Sequence, residues 1–394
     1  MNYWFLLAAI PVFGVSVLIH ELGHFLAAKW VGIRVEEFGL GLPPRLIGFR
    51  KREGRGWEVI WGLGTRATED SYESRSVSSS AIAEKHHTIY SLNWLPIGGF
   101  VRMPGENGER NEEGDYDPAS FAAKTAGKRL TVLTAGVIMN MLLAMVLFMF
   151  AYGLGEPTYP PLIGTVEAGS PAAAAGLRPG DTFVLVNGQK VQQFSDVVNI
   201  TTAVLNQHPG AATVPIPVVI RHQGQHNTVE ATIYARAHPP QGQGAMGIGE
   251  KVVLVSSPFW LAPVKGIQQT YTVTSQFIST IGQMIAGISK PQIVGPLGVI
   301  EITGRVAQSV PDAGWWPILS LTAILNINLA IVNILPFPAL DGGRISLILV
   351  ELLRGGKRLK PEVEGIINLV GMAILLTLIA IVTLSDILHW NSLL

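Results

Sequence analysis

The chain contains no cysteine, and this absence excludes several kinds of site at once. Without thiols there is no disulfide scaffold, no cysteine-ligated zinc or iron–sulfur cluster and no cysteine nucleophile. Charge is also scarce, because Asp, Glu, Lys and Arg make up 14% of the 394 residues, against about 25% in a typical soluble domain. The 28 basic and 28 acidic residues cancel, so no net positive charge favours binding to nucleic acid.

The sequence is instead rich in long hydrophobic runs, and its mean hydropathy is positive. A helix needs about 20 apolar residues to cross a membrane. Four segments meet this requirement: residues 1–32, 130–154, 315–343 and 366–388. We therefore predict an α-helical polytopic membrane protein with four transmembrane helices. A signal peptide is the alternative for the first segment, but that segment lacks a basic start and continues into a polar cluster.

The basic residues predict which loops lie in the cytoplasm. Fifteen of the 28 Lys and Arg residues fall in residues 29–129 and five in residues 344–360. Cytoplasmic loops carry an excess of such residues, so we expect loops 33–129 and 344–365 inside, and residues 155–314 and both termini outside. Within the outer linker 241–314, an uncharged stretch at 266–289 has apolar residues every three to four positions. This pattern favours an amphipathic helix over a fifth span.

Residues 155–240 have the pattern of a soluble module inserted between the second and third spans. Runs rich in Val, Ile and Thr at 161–167, 182–187, 214–222 and 228–234 predict strands, with a helix at 196–206. An Asn-Gly pair at 187–188 is typical of a hairpin turn. The small-residue run at 169–181 resembles that of PDZ domains, although any small β-sandwich is an alternative. The module contains no catalytic set, so we expect a gating or recognition role, and it could bind a peptide.

The first span contains the sequence His20-Glu21-Leu-Gly-His24. Residues four apart lie on one face of a helix, so both imidazoles can bind one ion. Zinc suits such ligands when one position stays open for water, and Glu21 is close enough to act as the base. The alternative is a cluster that only packs helices together, but ionisable groups inside a span are usually functional.

A third ligand is expected from the end of the third span. Pro336 and Pro338 end the helix there, and Asp341 follows in the sequence Leu-Asp-Gly-Gly. In the four-span topology, helix lengths place Asp341 at about the depth of His20. Without this match in depth, Asp341 could equally be an ordinary turn residue at the membrane boundary.

These two motifs, with a PDZ-like module between them, closely resemble the site-2 protease family of intramembrane zinc metalloproteases, and in particular its bacterial regulator of sigma-E protease branch. The resemblance implies one Zn²⁺ per chain, held by His20, His24 and Asp341, with Glu21 as the general base. It further implies an integral protein of the bacterial inner membrane, surrounded by lipid, with its active site near the cytoplasmic side. The implied substrates are single-pass transmembrane proteins, such as anti-sigma factors or remnant signal peptides.

The resemblance also suggests where substrate binds. Residues 93–103 resemble the family's membrane-associated β-hairpin, which holds substrate as an added strand. The implied substrate-binding residues are Gly98, Gly99, Phe100, Val101, Asn140, Asn328 and Asn333. For Asn328 and Asn333, hydrogen bonding between helices is the alternative. A polar insertion at 65–88 has no counterpart in the family. Its His86-His87 pair could form a second metal site, but an exposed loop is the favoured interpretation.

Two other functions remain open from sequence alone. A divalent-metal transporter also needs histidine and aspartate inside the membrane, but it requires a polar path through several spans. A catalytically inactive scaffold could recruit partners through the PDZ-like module. Neither function needs Glu21 beside two metal ligands, so replacing Glu21 by Gln separates them from a protease.

Overall fold

The computed structural model of the chain describes residues 3–52, 56–62, 87–106, 116–288 and 294–388. Its helices are α1 (Tyr3–Trp30), α2 (Ala126–Leu154), α3 (Pro171–Ala174), α4 (Phe194–Asn206), α5 (Ala262–Ile285), α6 (Pro296–Gln308), α7 (Val310–Ala313), α8 (Trp316–Ile334), α9 (Asp341–Leu353) and α10 (Pro361–Leu388). Its strands are β1 (Glu37–Arg52), β2 (Gly56–Trp61), β3 (Ile89–Arg102), β4 (Glu156–Thr158), β5 (Ile163–Val166), β6 (Thr182–Val186), β7 (Gln189–Lys190), β8 (Thr213–Arg221), β9 (Thr228–Arg236), β10 (Ile248–Glu250) and β11 (Val253–Val255). The insertion predicted at 65–88 lies outside the described residues except for its last two positions, and His86 lies outside them as well.

The chain divides into two compact units. Unit 1 comprises residues 1–152, 258–309 and 317–394, and unit 2 comprises residues 153–257 and 310–316. Unit 2 continues beyond the module predicted at 155–240, because β10 pairs with β5 and β11 pairs with β4. These two short strands carry no alternating pattern long enough to be recognised in the sequence.

Four helices in the described residues are long and apolar enough to cross a membrane. They are Phe5–Trp30, Ala126–Leu154, Trp316–Ile334 and Glu362–Leu388. Each has at least the length of about 17–20 residues that a bilayer core requires. The chain therefore has the features of a polytopic membrane protein.

In unit 1, α1 and α2 approach each other closely at a glycine. A Cβ atom on Gly23 would overlap the carbonyl oxygen of Ala135, so only glycine allows this contact. Next to the crossing, a buried apolar cluster joins α1, α2, β3 and α9, and its members include Ala28, Val35, Val101, Met103, Val132, Leu133 and Ile348. At the start of α2, Arg129 Nη2 donates to both carboxylate oxygens of Glu351 at 2.7 Å, which ties α9 to α2.

A small sheet in unit 1 has an edge, formed by one end of β3, that pairs with a described strand on one side only. Residues 37–40 of β1 pair with residues 89–92 of β3 on one side and with residues 99–102 on the other. The second half of β1 turns back to pair with β3 and with β2. Residues 99–102, here called the edge segment, therefore have β1 on one side and no described strand on the other.

The stretch predicted as an amphipathic helix forms α5, which starts and ends about four residues earlier than expected. One face packs on α2, where a Cβ atom on Gly266 would lie 2.8 Å from the backbone nitrogen of Met149. Ile267 and Tyr271 on another face are exposed. Among the described helices, α5 is not one of those apolar enough to span a membrane. Its placement on the outer side stays a prediction.

Unit 2 is built around a four-stranded antiparallel sheet in the order β7-β6-β8-β9. The strands and the helix predicted in the module from sequence all correspond to observed elements, β5, β6, β8, β9 and α4. Asn187 and Gly188 both have positive φ, 49° and 74°, as a two-residue hairpin turn requires. The core is aliphatic and aromatic, with Phe183, Ile216 and Ile233 almost fully buried.

Candidate metal centre

The two imidazoles of the first motif converge on one face of α1. His20 and His24 are one helical turn apart, and their Nε2 atoms lie 3.2 Å from each other. Both residues are buried, with 6% and 7% of their surface exposed. Two buried rings in an apolar helix are costly unless they are paired or bind an ion.

Asp341 reaches the histidines from a sharp turn between α8 and α9. Two prolines follow α8, and Ala339 then adopts a left-handed backbone conformation with φ of 76°. Asp341 is the first residue of α9. Its Oδ2 lies 3.1 Å from Nε2 of His20 and 3.2 Å from Nε2 of His24. The first and third apolar segments of the chain thus supply three converging atoms.

The two glycines after Asp341 make this turn possible. A Cβ atom on Gly342 would overlap the carbonyl oxygen of Leu335, and one on Gly343 would overlap that of Phe337. A larger residue at either position would push α9 away from the end of α8. Because Asp341 is the first residue of α9, such a shift would move its carboxylate away from the histidines.

Hydrogen bonds from α2 orient both rings. Nδ1 of His24 lies 2.8 Å from the carbonyl oxygen of Val132. Since a carbonyl only accepts, Nδ1 donates and the Nε2 of a neutral ring presents its lone pair to the site. Nδ1 of His20 lies 3.2 Å from the side-chain amide of Asn140. Oδ1 of Asn140 has no partner among the described residues, and half a turn of the amide would let it accept the Nδ1 proton of His20.

Gly136 provides the space in which these rings pack on α2. A Cβ atom there would lie 2.6 Å from Nε2 of His24 and 2.7 Å from Cε1 of His20. Val132, Gly136 and Asn140 are spaced four residues apart and share one face of α2. This face therefore supports both histidines from behind.

The three converging atoms have the spacing and the chemistry of a cation site. His20, His24 and Asp341 are the one group of three potential metal ligands found within the described ranges. Oδ2 of Asp341 accepts no hydrogen bond there. It therefore faces the two Nε2 atoms with no hydrogen between the oxygen and either nitrogen. In tetrahedral zinc sites, bonds of about 2.0–2.1 Å place ligand atoms about 3.3 Å apart. The observed 3.1–3.2 Å agrees with this arrangement.

The two imidazoles and the N-terminus of α9 surround the carboxylate of Asp341. The start of a helix favours a negative charge. One turn further on, Arg344 forms an ion pair with Glu106. Burial lowers the pKa of Arg344, and the Glu106 carboxylate more than offsets this, so the guanidinium stays charged.

A cavity of about 340 Å³ lies over the three converging side chains. Its walls include Glu21, the edge segment, the turn before Asp341 and part of α10. Gly99 packs directly on Glu21, since a Cβ atom there would lie 3.0 Å from Cγ of Glu21. The carboxylate expected to act as a base and the free edge of the sheet therefore adjoin the same cavity.

The other predicted site residues divide into three groups. Gly99, Phe100 and Val101 line the cavity. Gly98 is not part of its lining; its φ of 87° provides the turn that leads into the edge segment. Asn140 contacts a ring nitrogen of His20 and is likewise not part of the lining.

The two asparagines predicted on the third span differ in position. Nδ2 of Asn333 lies 3.4 Å from Nε2 of His20, beside the metal centre, although Asn333 is not part of the cavity lining. Asn328 does not line the cavity, and its buried Oδ1 has no partner in the described residues.

Sequence reasoning did not identify the contribution of α10 to the cavity, which comes from Asn368 and Met372. An amide inside an otherwise apolar span was the available signal for Asn368. Glu106 and Arg344 also line the cavity, but nothing in their local sequence distinguishes them from ordinary loop and helix charges.

Comparison with known proteins finds similarity to a peptidase family and to zinc metalloproteases over nearly the whole chain. The protein-family model described as Peptidase family M50 matches residues 8–70 and 72–378. The zinc metalloprotease RasP of Geobacillus kaustophilus is 30% identical to this chain, covering 97% of each protein. RasP of Bacillus licheniformis, also named a zinc metalloprotease, is 27% identical over 97% of this chain and 98% of its own. The regulator of sigma-W protease RasP of Bacillus subtilis is 25% identical over 97% of each.

Proposed function

The chain belongs to peptidase family M50, the site-2 protease family, and is a zinc metalloprotease; we propose that it hydrolyses a peptide bond inside the transmembrane segment of single-pass membrane proteins. The observation that carries this proposal is the convergence of His20, His24 and Asp341 beside Glu21 in one cavity. The histidines and Glu21 lie inside a helix with the length and composition of a membrane span.

We assign the zinc to the Nε2 atoms of the two histidines and Oδ2 of Asp341. Three protein ligands would hold the ion and leave one position for water, as in catalytic rather than structural zinc sites. When bound there, zinc would supply Lewis acidity that polarises the scissile carbonyl and makes water more acidic. Val132 and Asn140 contact the two Nδ1 atoms, so that both Nε2 lone pairs would face the ion.

Glu21 acts as the general base. It accepts a proton from the attacking water and passes that proton to the leaving amine. Its position between the two histidines in sequence and on the cavity wall supports this role. Removing a positioned base typically lowers the rate by about 10²- to 10⁴-fold.

The edge segment, residues 99–102, binds the unwound substrate as an added strand. A helical peptide bond must be unwound before water can attack it, and an unwound backbone in hydrocarbon leaves polar groups unpaired. A free strand edge can satisfy them by β-augmentation. The edge segment lines the cavity at Gly99, Phe100 and Val101. We assign Asn333, which contacts His20, to holding substrate backbone as well. For Asn328, hydrogen bonding between helices is the simpler role.

The membrane placement of the chain, the role of unit 2 and the class of substrate follow from the same proposal. We propose a bacterial inner-membrane protein with both termini outside, in which the loops at 33–129 and 344–365 are cytoplasmic and the site lies near that side. The strands and helices of unit 2 support a PDZ-like domain over the predicted 155–240, which gates or recognises substrate and could bind a peptide. The Bacillus subtilis relative is named a regulator of sigma-W protease, and this favours an anti-sigma factor as the substrate class.

The proposal is tested by comparing wild type with Glu21→Gln. Both proteins are purified in detergent, their zinc content is measured, and each is offered a model single-span substrate whose products are located by mass spectrometry. We expect one zinc per chain in both, and cleavage inside the span by wild type only. A chelator should abolish this cleavage.

Two results would contradict the proposal. Equal cleavage by wild type and Glu21→Gln would show that Glu21 is not the general base. Cleavage confined to residues outside the substrate's span would show that the reaction does not take place within the membrane. A metal transporter or an inactive scaffold would keep its function when Glu21 is replaced, so the same variant separates these alternatives.

A further inference from the structure

The last apolar helix, α10, contributes one polar side chain to the cavity. Asn368 and Met372, one turn apart, line it together with Glu21 and the metal-ligand residues. Gly371 fixes this face of the helix, because a Cβ atom there would overlap Pro338 in the turn before Asp341. Asn368 is therefore held over the centre by a close backbone contact.

The carbonyl oxygen of Asn368 has no hydrogen-bond donor in the described part of the chain. Its Oδ1 is inaccessible from the surface and makes no hydrogen bond there. The Oδ1 of Asn326 also lacks a donor there. Asn326 does not line the cavity, however, and its Nδ2 ties two helices together by donating to Ser16 at 2.9 Å and to the carbonyl of Thr322 at 2.7 Å. A buried amide acceptor without a donor destabilises a fold, so the position of Asn368 calls for a donor from outside the chain.

An added substrate strand would bring such a donor. Backbone N–H and C=O groups of a strand point alternately to its two sides, so pairing with the edge segment satisfies only one of these sides. The N–H groups on the other side would remain unpaired where little water can reach them. Asn368 lines the cavity, and a turn of its side chain would let Oδ1 accept a hydrogen bond from one of them.

We propose that Oδ1 of Asn368 accepts a hydrogen bond from a backbone N–H of the substrate beside the scissile bond, so that α10 takes part in holding the unwound strand. This inference rests on the proposed function and extends it to a specific residue. It assigns Asn368 to substrate binding and gives it no part in binding the metal, because His20, His24 and Asp341 already supply the ligand atoms.

The test combines substitutions at Asn368 with changes in the substrate backbone. Asn368→Leu removes the acceptor at similar size, and Asn368→Asp keeps an acceptor oxygen. Each enzyme is offered a series of model substrates in which one peptide bond near the cleavage site is replaced by an ester, which removes a single N–H. The readouts are kcat/KM, zinc content and the midpoint temperature of unfolding.

We expect Asn368→Leu to lower kcat/KM for the all-amide substrate by about five- to tenfold, the effect of one hydrogen bond, with zinc content unchanged. One ester should lower kcat/KM of wild type by a similar factor and have no effect on Asn368→Leu. Asn368→Asp should keep the sensitivity of wild type to that ester. As a matched control, Asn326→Leu should show the same ester pattern as wild type, even where it lowers stability.

Three results would overturn the inference. The first is an unchanged kcat/KM in Asn368→Leu. The second is a loss that occurs equally with every ester, and the third is a loss explained by reduced zinc or a lower midpoint temperature. A wild type that cleaves none of the substrates would instead contradict the proposed function itself, so the two failures are distinguishable.

Discussion

The two units of the molecule bury polar side chains in different ways. In unit 2, Ser170 accepts a hydrogen bond from the backbone of Ala173, and Asp181 pairs with His222 and with the backbone of Arg178. In unit 1, buried side-chain nitrogen and oxygen atoms that make no hydrogen bond to the described residues are found on His87, Ser91, Asn93, Arg129, Asn140, Glu301, Ser320, Asn326, Asn328, Asp341 and Asn368. Within the described ranges, unit 2 has no such atom.

This difference teaches where function lies. An unsatisfied buried polar group costs about 1–3 kcal/mol, so a fold that keeps several of them near one cavity is built to receive something from outside. Asp341 and Asn368 line that cavity, and Asn140 supports one of its histidines. The polar groups named in unit 2 complete its own fold, whereas Asp341 and Asn368 of unit 1 line a cavity and are the groups that we expect to meet metal and substrate.

The strongest way to test the comparison is to replace one buried aspartate in each unit. Asp341→Asn should lose zinc and cleavage, because it removes an anionic ligand. Outer groups around metal ligands contribute about 10- to 100-fold in affinity, and a ligand should contribute more. Metal analysis and the cleavage assay provide the measurement.

Asp181→Asn is the matched control in unit 2. It should keep one zinc per chain while lowering the free energy of unfolding of unit 2 by about 1–3 kcal/mol. Loss of zinc in Asp181→Asn, or retention of zinc in Asp341→Asn, would contradict the division between the units.

A second test concerns the space that α2 leaves for the histidines. Gly136→Ala would place a methyl group 2.6 Å from Nε2 of His24, so the rings or the helix must shift, and we expect zinc affinity to fall by about 100-fold. Gly127→Ala lies on the same helix and would meet nothing within 4 Å. Competition with a chelator of known affinity measures both variants, and equal affinities would contradict the close packing.

A third and smaller effect is expected from the amide behind His20. Asn140→Leu removes the acceptor for the Nδ1 proton, and we expect zinc affinity to fall by about tenfold. Asn140→Asp keeps an acceptor oxygen and should retain most of the affinity. If both variants bind zinc as wild type does, Asn140 does not orient the ring, and a substrate-binding role becomes the better interpretation.

Much of this arrangement could be predicted from the sequence, because its strongest signals are local. The spacing of His20 and His24 on a helix is a short-range feature, and helix length alone placed Asp341 near them. The helices and strands predicted in the module correspond to α4, β5, β6, β8 and β9 because alternation and an Asn-Gly turn are also local.

The rest depends on contacts between distant segments. Nothing around Gly136 indicates that its missing Cβ accommodates two histidine rings from another helix. Asn140 was predicted to bind substrate, and only the fold brings it to Nδ1 of His20. Asn368 lies in an apolar span without a motif, so its place in the cavity follows from the contact of Gly371 with Pro338.

The smallest expected effect lies in unit 2, where a carboxylate stabilises the start of α4. Oδ2 of Asp196 accepts hydrogen bonds from the backbone N–H groups of Gln192 and Gln193 at 2.8 and 3.0 Å, which lowers the pKa of Asp196. A lowered pKa in the folded state means that the stabilisation is present at neutral pH and is lost as the pH falls through that pKa. Hydrogen exchange in the first turn of α4 should therefore be faster in Asp196→Ala than in wild type at pH 7, and the difference should vanish in acid. Zinc content should not change, since this carboxylate completes the fold of unit 2. A difference in exchange rate between the two proteins that persists unchanged in acid would show that the charge of Asp196 does not cap the helix.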